Sequence, residues 1–169
     1  GYLHGLPQRF LFRDVKPANV IVGQDGHLKL IDLGCVCSMS EKVSSRAGSP
    51  GFAAPEQLRA GGALSESWDV YGLGKTLEAM LGAGNGSRKR AVDSGARGKW
   101  ARGSGKPERP WEAMQELRER RQLQRLIKAC TEEEAQRRVA DMGEVLRQLA
   151  GIGAVPMGEF RIAAIRILC

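Results

Sequence analysis

A chain of 169 residues with 42% hydrophobic and 27% charged side chains is long enough for one domain with a real core. Its net charge of +7 is local: Arg88 to Arg109 holds eight Lys or Arg against Asp93 and Glu108, so composition gives no strong nucleic-acid signal for the chain as a whole. No run approaches the ~20 apolar residues that cross a bilayer, and no charged-then-apolar leader opens the sequence. Cys35, Cys37, Cys130 and Cys169 have no ligand-like spacing with His4 and His27. Reduced, packed thiols in a cytoplasmic setting are therefore expected, and a zinc centre is not.

In chain order, the first informative stretch runs from Phe10 to Asp32. Asp14, Lys16 and Asn19 lie within six residues of one another, flanked by Phe10-Leu11-Phe12 and Val20-Ile21-Val22. A carboxylate, an amine and an amide thus emerge from a polar loop held between buried segments. Val20–Val22 and Leu28–Ile31 are β-rich runs joined by Gly23-Gln24-Asp25-Gly26, the composition of a hairpin turn, which returns Asp32 to Asn19. A carboxylate and an amide oxygen are hard ligands that suit Mg²⁺ on phosphates better than zinc, and Asp14 is then free to act as a base.

Farther along, Trp68, Val70, Tyr71, Leu73, Leu77, Met80 and Leu81 place apolar groups almost all round a helix over Ser65 to Leu81, the mark of a buried one. Asp69 within it needs partners if buried; the other reading is an exposed aspartate favoured by the helix start. Gly82 to Lys106, with seven glycines and much of the basic cluster, has almost nothing to bury and reads as a solvated, flexible insert. Helical spacing returns after Pro110. Trp111, Met114 and Leu117 share one face; beyond the Arg118 to Arg121 charge run, Leu123, Leu126, Ile127 and Cys130 form a second. A last helix is expected over Gln136 to Leu149. Phe160, Ile162, Ile165, Ile167 and Leu168 then give a basic-apolar tail of unknown role.

Three groups of residues stand in one order: Phe12-Arg13-Asp14-Val15-Lys16-Pro17-Ala18-Asn19, then Asp32-Leu33-Gly34, then Gly48-Ser49-Pro50-Gly51-Phe52-Ala53-Ala54-Pro55-Glu56. Together they resemble the eukaryotic-type (Hanks-type) protein kinase family, in its serine/threonine branch, over residues 1 to 150. The resemblance implies a mainly α fold, the C-terminal lobe of a kinase, with a short β-hairpin carrying the catalytic and metal-binding loops. Residues 82–106 become an insert and 151–169 an unassigned tail. Gly1 to Leu6 resembles the end of the helix before the catalytic loop, and the start at Gly1 reads as a fragment whose N-terminal lobe is missing.

The same resemblance implies roles. Asp14 is the catalytic base, Lys16 neutralises the transferring phosphoryl, and Ser49 bridges the two. Asn19 and Asp32 hold Mg²⁺ or Mn²⁺, with Lys16 and Ile21 also facing ATP. Arg13 is the arginine that would pair with a phosphate on Ser38, Ser40, Ser44 or Ser45 of the activation segment, Cys35 to Ala47. Asp69 accepts backbone N–H groups of the catalytic loop, and Glu56 forms a buried ion pair with Arg138. Phe12 and Leu33 depart from the family's histidine and phenylalanine, but both stand at packing positions and both remain apolar.

The expected activity is ATP-dependent phosphoryl transfer to serine or threonine of protein substrates, with any membrane tether lying beyond Cys169. The alternative is a pseudokinase-like scaffold. A small-molecule phosphotransferase is disfavoured by Gly48 to Glu56, which matches a protein-substrate platform.

Overall fold

The computed structural model of the chain describes residues 2–22, 28–41, 47–59, 63–83, 110–152, 155–157 and 160–162. Its mass lies in helices: a single turn α1 (Tyr2–Gly5), then α2 (Ser67–Ala83), α3 (Pro110–Cys130) and α4 (Met142–Ile152). The strands are two or three residues long and form antiparallel pairs. β1 (Phe10–Leu11) pairs with β4 (Cys37–Ser38), β2 (Val20–Val22) with β3 (Leu28–Leu30), and β5 (Val155–Met157) with β6 (Phe160–Ile162). The expected hairpin is therefore present in its strands, in the register Val20–Leu30, Ile21–Lys29 and Val22–Leu28, while its turn at 23–26 lies outside the described residues.

Helix α2 is the post that the sequence pattern predicts. The Ser65 hydroxyl accepts from the Ser67 N–H at 3.2 Å and closes its first turn. Trp68, Val70, Leu73, Leu77 and Leu81 are buried on several sides of it. Phe12 and Val15 of the polar loop pack with that helix against Leu123, Leu126, Ile127 and Cys130 of α3 and Met142, Val145, Leu149 and Ile152 of α4. A smaller cluster of Leu11, Cys37, Ala54 and Trp68 sits under the activation segment. Where α2 meets the end of α3, a Cβ on Gly74 would lie 2.7 Å from the Cys130 Cβ, so only a glycine lets the two backbones approach this closely. Burial pushes the Cys130 thiol up to about 12, which leaves it an inert packing group.

The pattern misleads in four places. The two faces after Pro110 belong to one continuous helix, because Arg118–Arg121 and the glutamines around it are good helix formers with no glycine or proline among them. Met114 is 72% exposed and Leu117 55% exposed, so these two members of the first face are not buried. Residues 136–140 are not α-helical: a short 3₁₀ turn at Ala135–Arg137 precedes an extended Arg138, and α4 starts after Asp141, whose Oδ1 accepts from the Glu144 N–H at 2.8 Å. Leu33, taken as a packing position, is 67% exposed at the head of a 3₁₀ turn. Most of the basic insert and the side chains of the tail fall outside the described residues, although β5 lies alongside α2 and α3. Among the described residues no helix is long and apolar enough to cross a membrane.

Candidate active site

The polar loop begins where β1 ends, and its shape is set from below by α2. Asp69, buried in the first turn of that helix, accepts the Phe12 N–H on Oδ2 at 2.8 Å and the Arg13 N–H on Oδ1 at 2.7 Å. The exposed, dipole-seeking reading of Asp69 is thereby excluded, since the residue is 3% exposed. Asp69 Oδ2 also meets His4 Nε2 at 2.8 Å, and His4 Nδ1 lies 3.4 Å from Glu66 Oε2. Glu66 in turn accepts from the Arg9 side chain. Held this way, Arg13 adopts φ 67°, a left-handed conformation that turns the chain and presents Asp14.

Asp14 is buried and takes three donors. Lys16 Nζ is 2.8 Å from Oδ2, Asn19 Nδ2 is 3.2 Å from the same oxygen, and the Ser49 N–H donates to Oδ1 at 2.8 Å. Burial pushes the carboxyl up, but the hydrogen bonds from Lys16 and Ser49 and the Lys16 charge outweigh it and hold it below the ordinary carboxylate value. Lys16 Nζ also donates to the Ser49 hydroxyl at 2.7 Å. Ser49 thus spans Asp14 and Lys16, with its backbone N–H serving the carboxylate and its hydroxyl serving the amine.

Asn19 donates to the Asp14 carbonyl at 2.9 Å as well as to its carboxylate, which leaves the side-chain oxygen as the atom a cation would use. The Ile31 N–H donates to the Asn19 carbonyl at 2.9 Å, so the hairpin delivers Asp32 next to this loop. Asp32 is exposed, with φ 67°, and its Oδ1 accepts from the Gly34 N–H at 3.1 Å. The donor set is all oxygen and fits Mg²⁺ or Mn²⁺; among the described residues no group of three or more His, Cys, Asp or Glu side chains is arranged to hold a metal ion. Ile21, expected to face the adenine, is 48% exposed on β2.

The described residues on either side of 42–46 contact this loop. Arg13 Nε donates to the Cys35 carbonyl, while its buried Nη1 has no described partner. Among the serines considered as modification sites, Ser38 is buried, donating to the Gln8 carbonyl at 3.1 Å and lying 2.8 Å from the Ser40 hydroxyl, so it serves as a structural hydroxyl and is not an accessible target. Ser40 is exposed; Ser44 and Ser45 lie outside the described residues. At the far end, Glu56 meets Arg138 in a two-pronged pair, Nη1–Oε1 and Nη2–Oε2, the second at 2.8 Å. Arg138 is wholly buried in its side chain, donates also to the Glu132 and Glu133 carbonyls, and lies 4.8 Å over the Tyr71 ring. Burial raises the Glu56 carboxyl, but Arg138 bonds and charge bring it below its ordinary value.

Three groups that hold this site escaped the sequence reading. His4, expected only as part of the helix end at Gly1 to Leu6 and not as a zinc ligand, supports Asp69. Thr76 donates to the Gly72 carbonyl at 2.8 Å, with the Val15 carbonyl 3.2 Å away. Gln57, 4% exposed, donates from Nε2 to the Arg13 carbonyl at 2.7 Å and the Ala47 carbonyl at 2.6 Å, and its Oε1 accepts from Ala54 N–H at 3.3 Å. The available signal was a polar residue beside a buried segment: Thr76 sits inside an apolar helix, and Gln57 directly follows Ala54-Pro55-Glu56.

Comparison with known proteins agrees with this geometry. The family model for the protein kinase domain matches residues 1–149, and the chain belongs to that family. Rhodopsin kinase GRK1 of Rattus norvegicus is 40% identical over 93 residues, 53% of this chain and 16% of that protein. Beta-adrenergic receptor kinase 1 of Homo sapiens and G protein-coupled receptor kinase 2 of Caenorhabditis elegans are each 38% identical over 81 residues, 47% of this chain and 12% of theirs. The matched segments thus span about a sixth or less of these relatives' own length.

Proposed function

We propose that this protein kinase family chain supplies the C-terminal, helical lobe of a serine/threonine protein kinase, transferring phosphate from ATP to protein hydroxyls. The observation that carries this reading is the Asp14–Lys16–Ser49–Asn19 cluster, in which a buried carboxylate kept ionised is bonded to an amine and backed by an amide. Asp14 is the base that orients the attacking hydroxyl and receives its proton. Lys16, released from Asp14 or Ser49 as substrate enters, meets the charge of the transferring phosphoryl. Asn19 and Asp32 would hold Mg²⁺ or Mn²⁺, which offsets charge on the phosphate oxygens when bound. Ile21 contributes an apolar surface for the nucleotide base, and Arg13, whose buried Nη1 has no partner among the described residues, is the receptor for a phosphate on the activation segment.

Residues 1–150 form the lobe in this reading, 82–106 a solvated insert, and the setting is cytoplasmic. No glycine-rich loop or phosphate-gripping strand lysine stands before Asp14 in these 169 residues, so the isolated chain is expected to transfer phosphate poorly. The test is Mg²⁺–ATP binding by the full-length natural protein. Binding that weakens at least tenfold in Asp32→Asn supports the kinase reading; no Mg²⁺–ATP binding by the unmutated protein would sink it in favour of a scaffold. Strong phosphorylation of a generic substrate by residues 1–169 alone, lost in Asp32→Asn, would contradict the dependence on a second lobe.

A further inference from the structure

We infer that Gln57 is a positioning residue: its carboxamide staples the end of the activation segment to the catalytic loop and so assembles the Asp14–Ser49 contact without any phosphate. The inference rests on the kinase reading for its functional meaning and on hydrogen-bond chemistry for its substance. A primary amide has two N–H donors, and Gln57 spends both. One goes to the Arg13 carbonyl at 2.7 Å, in the peptide that leads into Asp14; the other goes to the Ala47 carbonyl at 2.6 Å, two residues before Ser49. Gln57 therefore grips both partners of the Asp14–Ser49 bond within two residues of where it forms.

The orientation of the amide is dictated by its neighbours. Two carbonyl oxygens demand the NH₂ group, and the Ala54 N–H at 3.3 Å demands the oxygen, so a flipped amide would oppose like groups at all three contacts. The sequence makes room for it. A Cβ on Gly48 would stand 2.6 Å from Gln57 Nε2 and 3.1 Å from the Arg13 carbonyl oxygen, and Gly48 has φ 119°, so a glycine is needed for space and for backbone alike. Every contact in the staple is neutral, and the residue is sealed from solvent.

Amide hydrogen exchange on phosphate-free chain tests this, comparing the unmutated protein with Gln57→Glu and Gln57→Leu. Gln57→Glu keeps the shape but sets a carboxylate against two carbonyls; Gln57→Leu leaves all three backbone groups unpaired. The expected result is a protected Ser49 N–H in the unmutated chain, reduced at least tenfold in both variants, while amides of α4 keep their protection. In Gln57→Glu the loss shrinks at low pH, where the protonated carboxyl regains one donor, a signature that a purely space-filling role would not give. Ser49 protection unchanged in both variants, absent from the phosphate-free unmutated chain, or lost in step with α4 would overturn the proposal. Mg²⁺–ATP binding is read in the same samples of the full-length protein. A staple that behaves as expected in a protein that binds no nucleotide would leave the positioning role standing and remove the kinase reading.

Discussion

At the scale of single residues, the chemistry near Asp14 was legible because it is written within six positions: a carboxylate, an amine and an amide on one loop have few other uses when their flanks are buried. Asp69 was legible because a carboxylate inside an apolar helix must find donors, and it finds the Phe12 and Arg13 N–H groups. His4 was not, because its partner Asp69 stands 65 positions away; for Gln57 the sequence offered only a polar residue beside a buried segment, and nothing local named the Arg13 carbonyl, 44 positions away, as its partner. Glu56 yields a pH prediction. Its carboxyl is lowered in the folded state, so the stability it contributes is full above the ordinary glutamate value of 4.5 and is lost as pH falls through its lowered folded value. Urea unfolding of the unmutated chain and Glu56→Gln should show a stability gap that is constant from pH 7 to about 5 and narrows below. A gap that widens on acidification would contradict the assignment.

At the scale of elements, helix existence followed from spacing, whereas boundaries and faces did not. Spacing alone could not show that α3 runs unbroken through its charge run, nor that Asp141 and not Gln136 opens α4, because capping decides the start. The ion pair that ties the end of the activation segment to the loop before α4 should be costly to break. Removing one partner of a fully buried pair costs about 3–5 kcal/mol; the Arg138 side chain is wholly buried but that of Glu56 is 26% exposed, so a loss toward the lower end is expected, and Arg138→Ala also strips donors from the Glu132 and Glu133 carbonyls. A loss below about 1 kcal/mol in urea unfolding would mean that the pair behaves as a surface bridge. Gly74 sets two magnitudes against each other. Propensity alone would make Gly74→Ala stabilising by about 1 kcal/mol, but overpacking costs about 1–3 kcal/mol. With the new Cβ 2.7 Å from Cys130 Cβ and 2.8 Å from Thr131 Cγ2, the clash should win, and a net destabilisation is expected; a raised Tm would show that α2 and α3 can part freely.

At the scale of the molecule, the described residues form a helical unit anchored by the Glu56–Arg138 pair, while three large apolar side chains on and just after the hairpin remain exposed. Ile21, Ile31 and Leu33 are 48%, 39% and 67% exposed there. Leu33 could be assigned to a packed position from sequence, but its exposure depends on what stands opposite, which no property of Asp32-Leu33-Gly34 encodes. The central claim is that Asp14, held by Lys16, Ser49 and Asn19, is the base of a phosphoryl-transfer site. The most direct measurement is transfer of labelled phosphate from Mg²⁺–ATP to serine- and threonine-containing peptides by the full-length natural protein and its Asp14→Asn variant. The account predicts a loss on the order of 10²- to 10⁴-fold in kcat with the fold and Mg²⁺–ATP binding retained. Equal turnover by the two proteins would contradict it.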